Sequence, residues 1–144
     1  MSLEENKALV RRYVAEVING GNLDGLDEFL GPQYKRYLAP SAPPLAPETQ
    51  RQRLAGLRAA FPYIHLATED MIAEGDRVAF RGTLTGTHQG EFLGIAATLK
   101  QIRVFASDVV RVEGGKFAEH WGGPDLFVLL QQLGAVISAP PAEK

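Results

Sequence analysis

The fold class is decided by one stretch, residues 101–123, which reads QIRVFASDVVRVEGGKFAEHWGG. Apolar and polar side chains alternate in both halves of it, as they do in a β-strand with one buried face. Gly114-Gly115 divides the two halves and is typical of a tight hairpin turn. The stretch therefore predicts two antiparallel strands, 101–113 and 116–122.

Two more strands precede this hairpin, at 64–73 and 77–88, and Glu74-Gly75-Asp76 forms the turn between them. Helical spacing of apolar residues predicts the helices, which are 3–19, a short helix capped by Asn22, 47–60, and about 124–133. Three helices followed by an antiparallel meander predict an α+β fold. We expect one domain over residues 1–144, with a mobile tail at about 137–144.

Helix ends are marked by recognisable capping and breaking residues. Ser2 and Glu5 form a capping box at the start of the first helix, and Pro47 suits the first turn of the third. Gly31-Pro32 is interpreted as the end of the second helix. Four prolines lie within residues 38–47, so this segment is predicted to be a loop or extended segment that borders an opening.

Composition excludes several classes of function. The 144 residues carry 15 Lys and Arg against 17 Asp and Glu, and the basic residues are dispersed, so nucleic acid is not an expected partner. The absence of cysteine excludes disulfides, thiolate zinc sites and cysteine nucleophiles. No metal-ligand spacing or nucleotide-binding loop occurs, and we expect no cofactor. Without a signal peptide or an apolar run of ~18 residues, no membrane association and a cytoplasmic location are predicted.

Five segments of the chain form a recognisable set: MIAEGDRVA at 71–79, GTHQGEFLGI at 86–95, RVEGGK at 111–116, EHW at 119–121 and LLQQLG at 129–134. In order and spacing they resemble the SnoaL-like polyketide cyclases of the nuclear transport factor 2-like superfamily. The resemblance covers most of the chain and implies a cone-shaped, curved antiparallel sheet wrapped around three N-terminal helices, with a short C-terminal helix. It also implies a cavity at the wide end of the cone and a homodimer formed through the sheet.

The polyketide cyclases of this family use a carboxylate near the end of the last strand as general acid/base for an aldol closure. By the register of Glu-His-Trp, the resemblance places that acid at Gly122, where this chain has no side chain. The loop that follows Gly94-Ile95 is also more apolar than in many relatives. These departures leave open whether the family chemistry is retained.

Asp108 and His120 are the candidate catalytic residues. Asp108 alternates with apolar residues, so it is expected on the concave face of the sheet, and a carboxylate there is in the cavity or paired. His120 shares the parity of Gly122 and is expected beside Asp108 on the neighbouring strand. Such a pair can transfer protons near neutral pH. The alternative is that both residues make structural hydrogen bonds only.

Candidate substrate-binding residues are Tyr37, His88, Phe105, Leu99 and Asp125. Tyr37 is the preferred hydrogen-bond donor to a ligand carbonyl. His88 lies at a strand end near the expected mouth, although an exposed turn position is an alternative. Asp125 begins the last helix, where a capping role is the alternative. Phe105 and Leu99 are expected apolar contacts.

Two functions remain open from the sequence. The first is a cofactor-independent acid/base enzyme of the cyclase, isomerase or lyase type, acting on a small hydrophobic carbonyl or cyclic compound. The second is a non-catalytic protein that binds a hydrophobic small molecule and has lost the family acid at Gly122. The buried Asp108–His120 pair favours the enzyme, because unpaired polar groups are costly to place in an apolar cavity.

Overall fold

The helices lie on one side of the chain's sheet and begin where the sequence predicts. The computed structural model describes residues 1–135. The helices are α1 (Leu3–Tyr13), which continues as a π-helical segment (Val14–Asn19), a 3-10 turn (Asp24–Glu28), α2 (Pro47–Ala60) and α3 (Leu126–Gln132). The Ser2 hydroxyl accepts a hydrogen bond from the amide of Glu5 at 3.1 Å, which confirms the capping box.

Five strands form a single curved sheet in the order β1-β5-β4-β3-β2. The strands are β1 (Leu30–Tyr37), β2 (His65–Glu74), β3 (Arg77–Thr87), β4 (Gln101–Glu113) and β5 (Lys116–Pro124). All neighbouring pairs are antiparallel except β1 and β5, which are parallel. Helices packed on one face of this sheet confirm the predicted α+β class.

The first strand was not predicted, because Gly31-Pro32 was interpreted as a helix end and residues 33–37 were assigned to no element. β1 lies at the edge of the sheet, where a proline is tolerated because one side of the strand needs no hydrogen-bonding partner. The strand places the side chains of Tyr34 and Arg36 in the interior of the protein.

The core lies between the helices and the concave face of the sheet. In β4 the even-numbered residues are buried or half-buried, and in β3 Val78, Phe80 and Leu84 are buried on the same side. Leu9, Val10 and other apolar residues of α1 pack against them. Register shifts in β2 and β4 interrupt regular pairing, as bulges that bend a sheet do.

The mobile tail and the absence of a membrane span were both predicted from the sequence. The predicted tail at 137–144 lies outside the described residues. Within residues 1–135, no helix is both long and apolar enough to cross a bilayer.

Candidate active site

Asp108 and His120 meet on the concave face of the sheet, as the strand alternation predicts. Asp108 pairs with Gly122 across β4 and β5, so His120 lies two residues further along the same face of β5. The His120 Nε2 atom is 3.1 Å from the Asp108 Oδ1 atom. His120 is 2% exposed, and the Asp108 side chain is 10% exposed. The pair is therefore almost completely withdrawn from bulk water.

Arg36 and Tyr34 from β1 complete an inner polar cluster with these two residues. Arg36 Nη2 donates to the Gly122 carbonyl at 2.6 Å and to Asp108 Oδ1 at 3.3 Å. Arg36 Nη1 lies 3.0 Å from His120 Nδ1 and 2.9 Å from its Nε2, and the Tyr34 hydroxyl is 3.2 Å from Nδ1. Parallel pairing of Arg36 with His120 in the β1–β5 register brings them together.

His120 is uncharged at neutral pH. Burial, and secondarily the charge of Arg36, lower its pKa to about 4, although Asp108 opposes the shift. We assign the single imidazole proton to Nε2, because this nitrogen faces a carboxylate oxygen that can only accept. The other nitrogen then accepts from Tyr34 or Arg36. The neutral ring therefore links the carboxylate to β1 without adding a positive charge.

A small cavity of about 60 Å³ adjoins the inner polar cluster. Its polar walls come from Tyr13, Arg36, Arg53, Asp108 and His120, and its apolar walls from α2 and the concave face of the sheet. Burial raises the pKa of Tyr13 to about 12, so its hydroxyl keeps its proton at neutral pH. The cavity thus holds a carboxylate and a phenol in one largely apolar space.

The cavity adjoins a much larger open groove of about 750 Å³. Both are lined by Arg53, Leu57, Gly123 and Pro124, so these residues mark the boundary between them. The groove is lined further by Leu38, Phe92, Leu93 and Leu126. Its volume is in the range of small-molecule binding sites, about 300–1,000 Å³.

The backbone at Gly122 excludes the side chain that the family resemblance places there. Its φ is +97°, in a region that favours glycine, and a Cβ atom would lie 2.1 Å from the carbonyl oxygen of Ser107. Any carboxylate at this position would require β4 and β5 to separate locally. Asp108, directly opposite Gly122, is the carboxylate that this chain presents instead.

Comparison with known proteins agrees with this architecture. The family model for the SnoaL-like polyketide cyclases matches residues 8–133. This chain belongs to the SnoaL-like polyketide cyclase family. It is 32% identical over 132 residues to the aklanonic acid methyl ester cyclase DnrD of Streptomyces peucetius, a match that covers 88% of both chains.

Solved structures of other SnoaL-like proteins superpose closely on this one. AclR from Streptomyces galilaeus, described as a candidate hydroxylase, is 33% identical with a TM-score of 0.83, over 92% of this chain and 98% of AclR. TsrD from Streptomyces laurentii is 29% identical with a TM-score of 0.83, over 94% of this chain and 99% of TsrD.

The structure places Tyr37 on the outer face of this SnoaL-like sheet, so the expectation that it lines the cavity is wrong. In β1, Tyr37 follows the inward Arg36 and points to the opposite side. Its ring stacks on Trp121 of β5, with centroids 5.7 Å apart and planes 11° apart. Tyr34 is the tyrosine of this strand that reaches His120.

His88 is completely buried, which rules out the exposed-turn alternative, but it does not line the cavity or the groove. Its Nδ1 accepts from the amide of Thr98 at 3.1 Å and lies 2.9 Å from the Thr98 hydroxyl. Backbone hydrogen bonds with Leu99 and Lys100 join the same two segments. His88 thus holds together the two ends of the loop whose residues Phe92 and Leu93 line the groove.

Three other predicted substrate contacts lie away from the inner polar cluster. Asp125 caps α3 by accepting from the amide of Val128 at 3.2 Å, as the capping alternative holds. Phe105 is 64% exposed on the outer face of β4, and Leu99 is 71% exposed. None of the three lines the cavity or the groove.

Arg36 and Arg53 were missed as site residues. Arg36 was missed because no strand was predicted over β1, so no inner face could be assigned to its residues. Arg53 was missed because the helical spacing of residues 47–60 marks only the apolar side of the helix and gives no signal for a single arginine. The Tyr-Lys-Arg-Tyr alternation at 34–37 is the signal that, read as a strand, indicates one buried face.

Proposed function

We propose that the chain is a cofactor-independent acid/base enzyme that closes a ring in a hydrophobic carbonyl compound, with Asp108 as the general base. The observation that carries the proposal is the buried contact of Asp108 with His120 and Arg36 beside the cavity. Membership of a cyclase family favours ring closure over the isomerase and lyase alternatives.

Asp108 has one carboxylate oxygen available for a ligand. Within residues 1–135, the hydrogen bonds to this carboxylate from His120 and Arg36 both reach Oδ1. Oδ2 can then remove a proton from the carbon next to a ligand carbonyl, provided that the ligand comes within hydrogen-bond distance. His120 and Arg36 hold the carboxylate in one orientation during this transfer.

Removing that proton leaves an enolate, whose negative oxygen needs a hydrogen-bond donor. The Tyr13 hydroxyl lines the same cavity and remains protonated because burial raises its pKa to about 12. The enolate carbon then attacks a second carbonyl of the ligand, forming a carbon–carbon bond. Asp108 returns its proton to the new alkoxide, so no atom is gained or lost.

The sizes of the two spaces match a ligand much larger than its reacting group. The cavity of about 60 Å³ is small and admits only the reacting end of a ligand. The groove of about 750 Å³ can take the rest of a fused-ring or long-chain carbonyl compound. A partly enclosed reacting end also keeps water from the enolate.

The proposal is tested with a panel of aromatic and cyclic ketones that carry a second carbonyl within reach of ring closure. Wild-type protein should yield cyclic products of unchanged mass, detected by chromatography and mass spectrometry. Asp108→Asn should lower turnover about 100- to 10,000-fold, the usual contribution of a general acid or base. Circular dichroism would confirm that the variant is folded.

Asp70→Asn is the matched control, because Asp70 pairs with Arg81 on the exposed outer face. Its turnover should equal that of wild type. Equal turnover in Asp108→Asn and wild type would remove Asp108 from the mechanism. Ligand binding without any product would favour the non-catalytic binding protein instead.

The homodimer and the cytoplasmic location stay predictions. The outer face of the sheet carries exposed apolar side chains, including Ile72 at 69% and Phe105 at 64% exposed. Large exposed apolar patches commonly mark protein interfaces, and this face is where a second copy would bind. Analytical ultracentrifugation would measure the mass of the assembly in solution.

A further inference from the structure

Arg53 differs from the other arginines of α2, because its guanidinium has no hydrogen-bonding or ion-pair partner among the residues that the structure describes. Within residues 1–135, Arg51 binds Asp27 and Glu48, and Arg58 donates to the Ile18 carbonyl at 2.9 Å. Over the same residues, no hydrogen bond or ion pair reaches Arg53 from the protein. Its side chain lines both the cavity and the groove, where a ligand would be in contact with it.

Among residues 1–135, the charged groups around the cavity leave Arg53 without an ion pair of its own. Asp108 is paired with Arg36, and His120 is neutral at neutral pH. Burial, followed by repulsion from Arg36, lowers the pKa of Arg53. Keeping this guanidinium charged in its position therefore costs free energy. A partly buried cation without an anion is unfavourable, and a ligand that supplies a negative charge relieves the cost.

Gly123 keeps open the space in which such a charge would lie. A Cβ atom at this position would be 3.3 Å from Arg36 Nη2 and 3.8 Å from Arg53 Nη2. A ligand oxygen near this point is therefore within reach of both guanidinium groups. The φ of Gly123 is +151°, so side-chain-bearing residues are disfavoured here by the backbone as well.

We propose that Arg53 binds a carboxylate of the ligand at the boundary between the cavity and the groove. This inference rests on the proposed function and narrows its substrate class to carbonyl compounds that also carry a carboxylate. Leu38, Phe92 and Leu126 supply apolar walls for the ring system, whereas Glu91, the acidic residue of the groove, is solvent-exposed. Arginine suits this role because its planar guanidinium matches the two oxygens of a carboxylate.

The test compares two probes of similar size, 2-naphthoate and the neutral ketone 2-acetylnaphthalene, in equilibrium binding measured by naphthalene fluorescence. Wild-type protein should bind the carboxylate at least about 10-fold more tightly, as expected for a charge-assisted hydrogen bond. Arg53→Gln should lose this preference while its affinity for the ketone stays the same. Arg53→Lys, which keeps the charge without the planar geometry, should retain part of it.

Arg51→Gln is the control, because Arg51 lies on the same helix and pairs with acidic residues outside the cavity. It should keep the full preference for 2-naphthoate. Arg53→Gln should unfold at the same or a higher temperature than wild type, since it removes a poorly solvated cation, so misfolding would not explain a lost preference.

Equal affinities of wild type for the two probes, weaker binding of the carboxylate, or a preference that survives in Arg53→Gln would each overturn the carboxylate site. Those outcomes leave the acid/base proposal intact, because ring closure by Asp108 is measured with neutral ketones. Conversely, a carboxylate preference that depends on Arg53, without turnover of any carbonyl compound with or without a carboxylate, would contradict the proposed enzymatic activity and support the carboxylate site alone.

Discussion

The inner and outer faces of the same two strands carry opposite kinds of chemistry. On the inner face, Arg36 and His120 are 3% and 2% exposed and belong to the polar cluster with Asp108. On the outer face, the next residues along each strand, Tyr37 and Trp121, stack on one another. A single step along β1 and β5 therefore separates a candidate active site from an aromatic pair.

The side chains of the inner polar cluster are buried, so each charged group relies on its neighbours, and not on water, for compensation. A buried ion pair gains little over apolar packing, but removing one partner leaves the other without compensation in a poorly solvated place. On the outer face, Arg81 pairs with Glu69 and Asp70, and water screens all three. Breaking an ion pair should therefore lower the free energy of unfolding much more on the inner face than on the outer face.

The largest expected effect comes from replacing Arg36. Arg36→Leu should lower the free energy of unfolding by about 3–5 kcal/mol, because it breaks a buried ion pair and leaves Asp108 beside a neutral histidine. Urea denaturation would measure the change. Arg81→Leu on the outer face should have almost no effect. Similar losses in both variants would contradict the distinction between the faces.

The second effect concerns acid stability and comes from His120. Its pKa of about 4 in the native state lies below the ordinary value of 6.5, so between these pH values only the unfolded histidine binds a proton. Stability from this group is complete above pH 6.5 and falls as the pH is lowered towards 4, by about 3 kcal/mol in total. Urea denaturation at a series of pH values would measure this decrease.

NMR titration reports the protonation of His120 directly. The imidazole signal of His120 should stay unchanged from pH 8 to pH 5 in the native protein. His120→Gln should weaken the dependence of stability on pH, whereas His65→Gln should leave the contribution of His120 in place. An imidazole of His120 that becomes charged near pH 6.5 would show that the inner face is well hydrated.

The smallest of the three effects concerns the backbone where β5 passes Asp108. Gly122→Ala should destabilise the protein by about 1–3 kcal/mol, because φ is +97° and the new Cβ meets the Ser107 carbonyl. Gly56→Ala is the control, since a Cβ there has no neighbour within 4 Å and alanine favours a helix. If Gly122→Ala unfolded at a higher temperature than Gly56→Ala, the close approach of β5 to β4 at Gly122 would be contradicted.

Strand alternation was enough to predict the meeting of Asp108 with His120. Both lie in long strands joined by a two-glycine turn, so parity and register follow from local sequence. The same reasoning failed for Tyr34 and Arg36, because Pro32 concealed the edge strand β1. That strand pairs with β5 in parallel, over 80 residues away in sequence, and no local turn sets its register.

Residue type alone misled the selection of ligand contacts. Phe105 and Leu99 are apolar, and both were expected in the pocket, yet they are exposed. His88 has the chemistry of a binding residue, but its contacts with Thr98 hold a loop together. Hydrophobicity and functional groups indicate what a side chain can do, whereas the direction in which it points depends on the strand that carries it.

Local sequence was enough to predict the α+β class, the main hairpin, the helix caps and the inward direction of Asp108 and His120, since these depend on periodicity and on neighbours a few residues apart. Three features became visible in the folded chain alone: Arg36 and Tyr34 join the pair, Tyr37 faces outward, and Arg53 borders the cavity with no ion pair among residues 1–135. These depend on the packing of β1 against β5 and of α2 against β1. Such contacts join residues far apart in the sequence, so no repeating pattern along the chain predicts them. Burial then set the charge of His120, because a protonation state depends on the surroundings that the fold assembles.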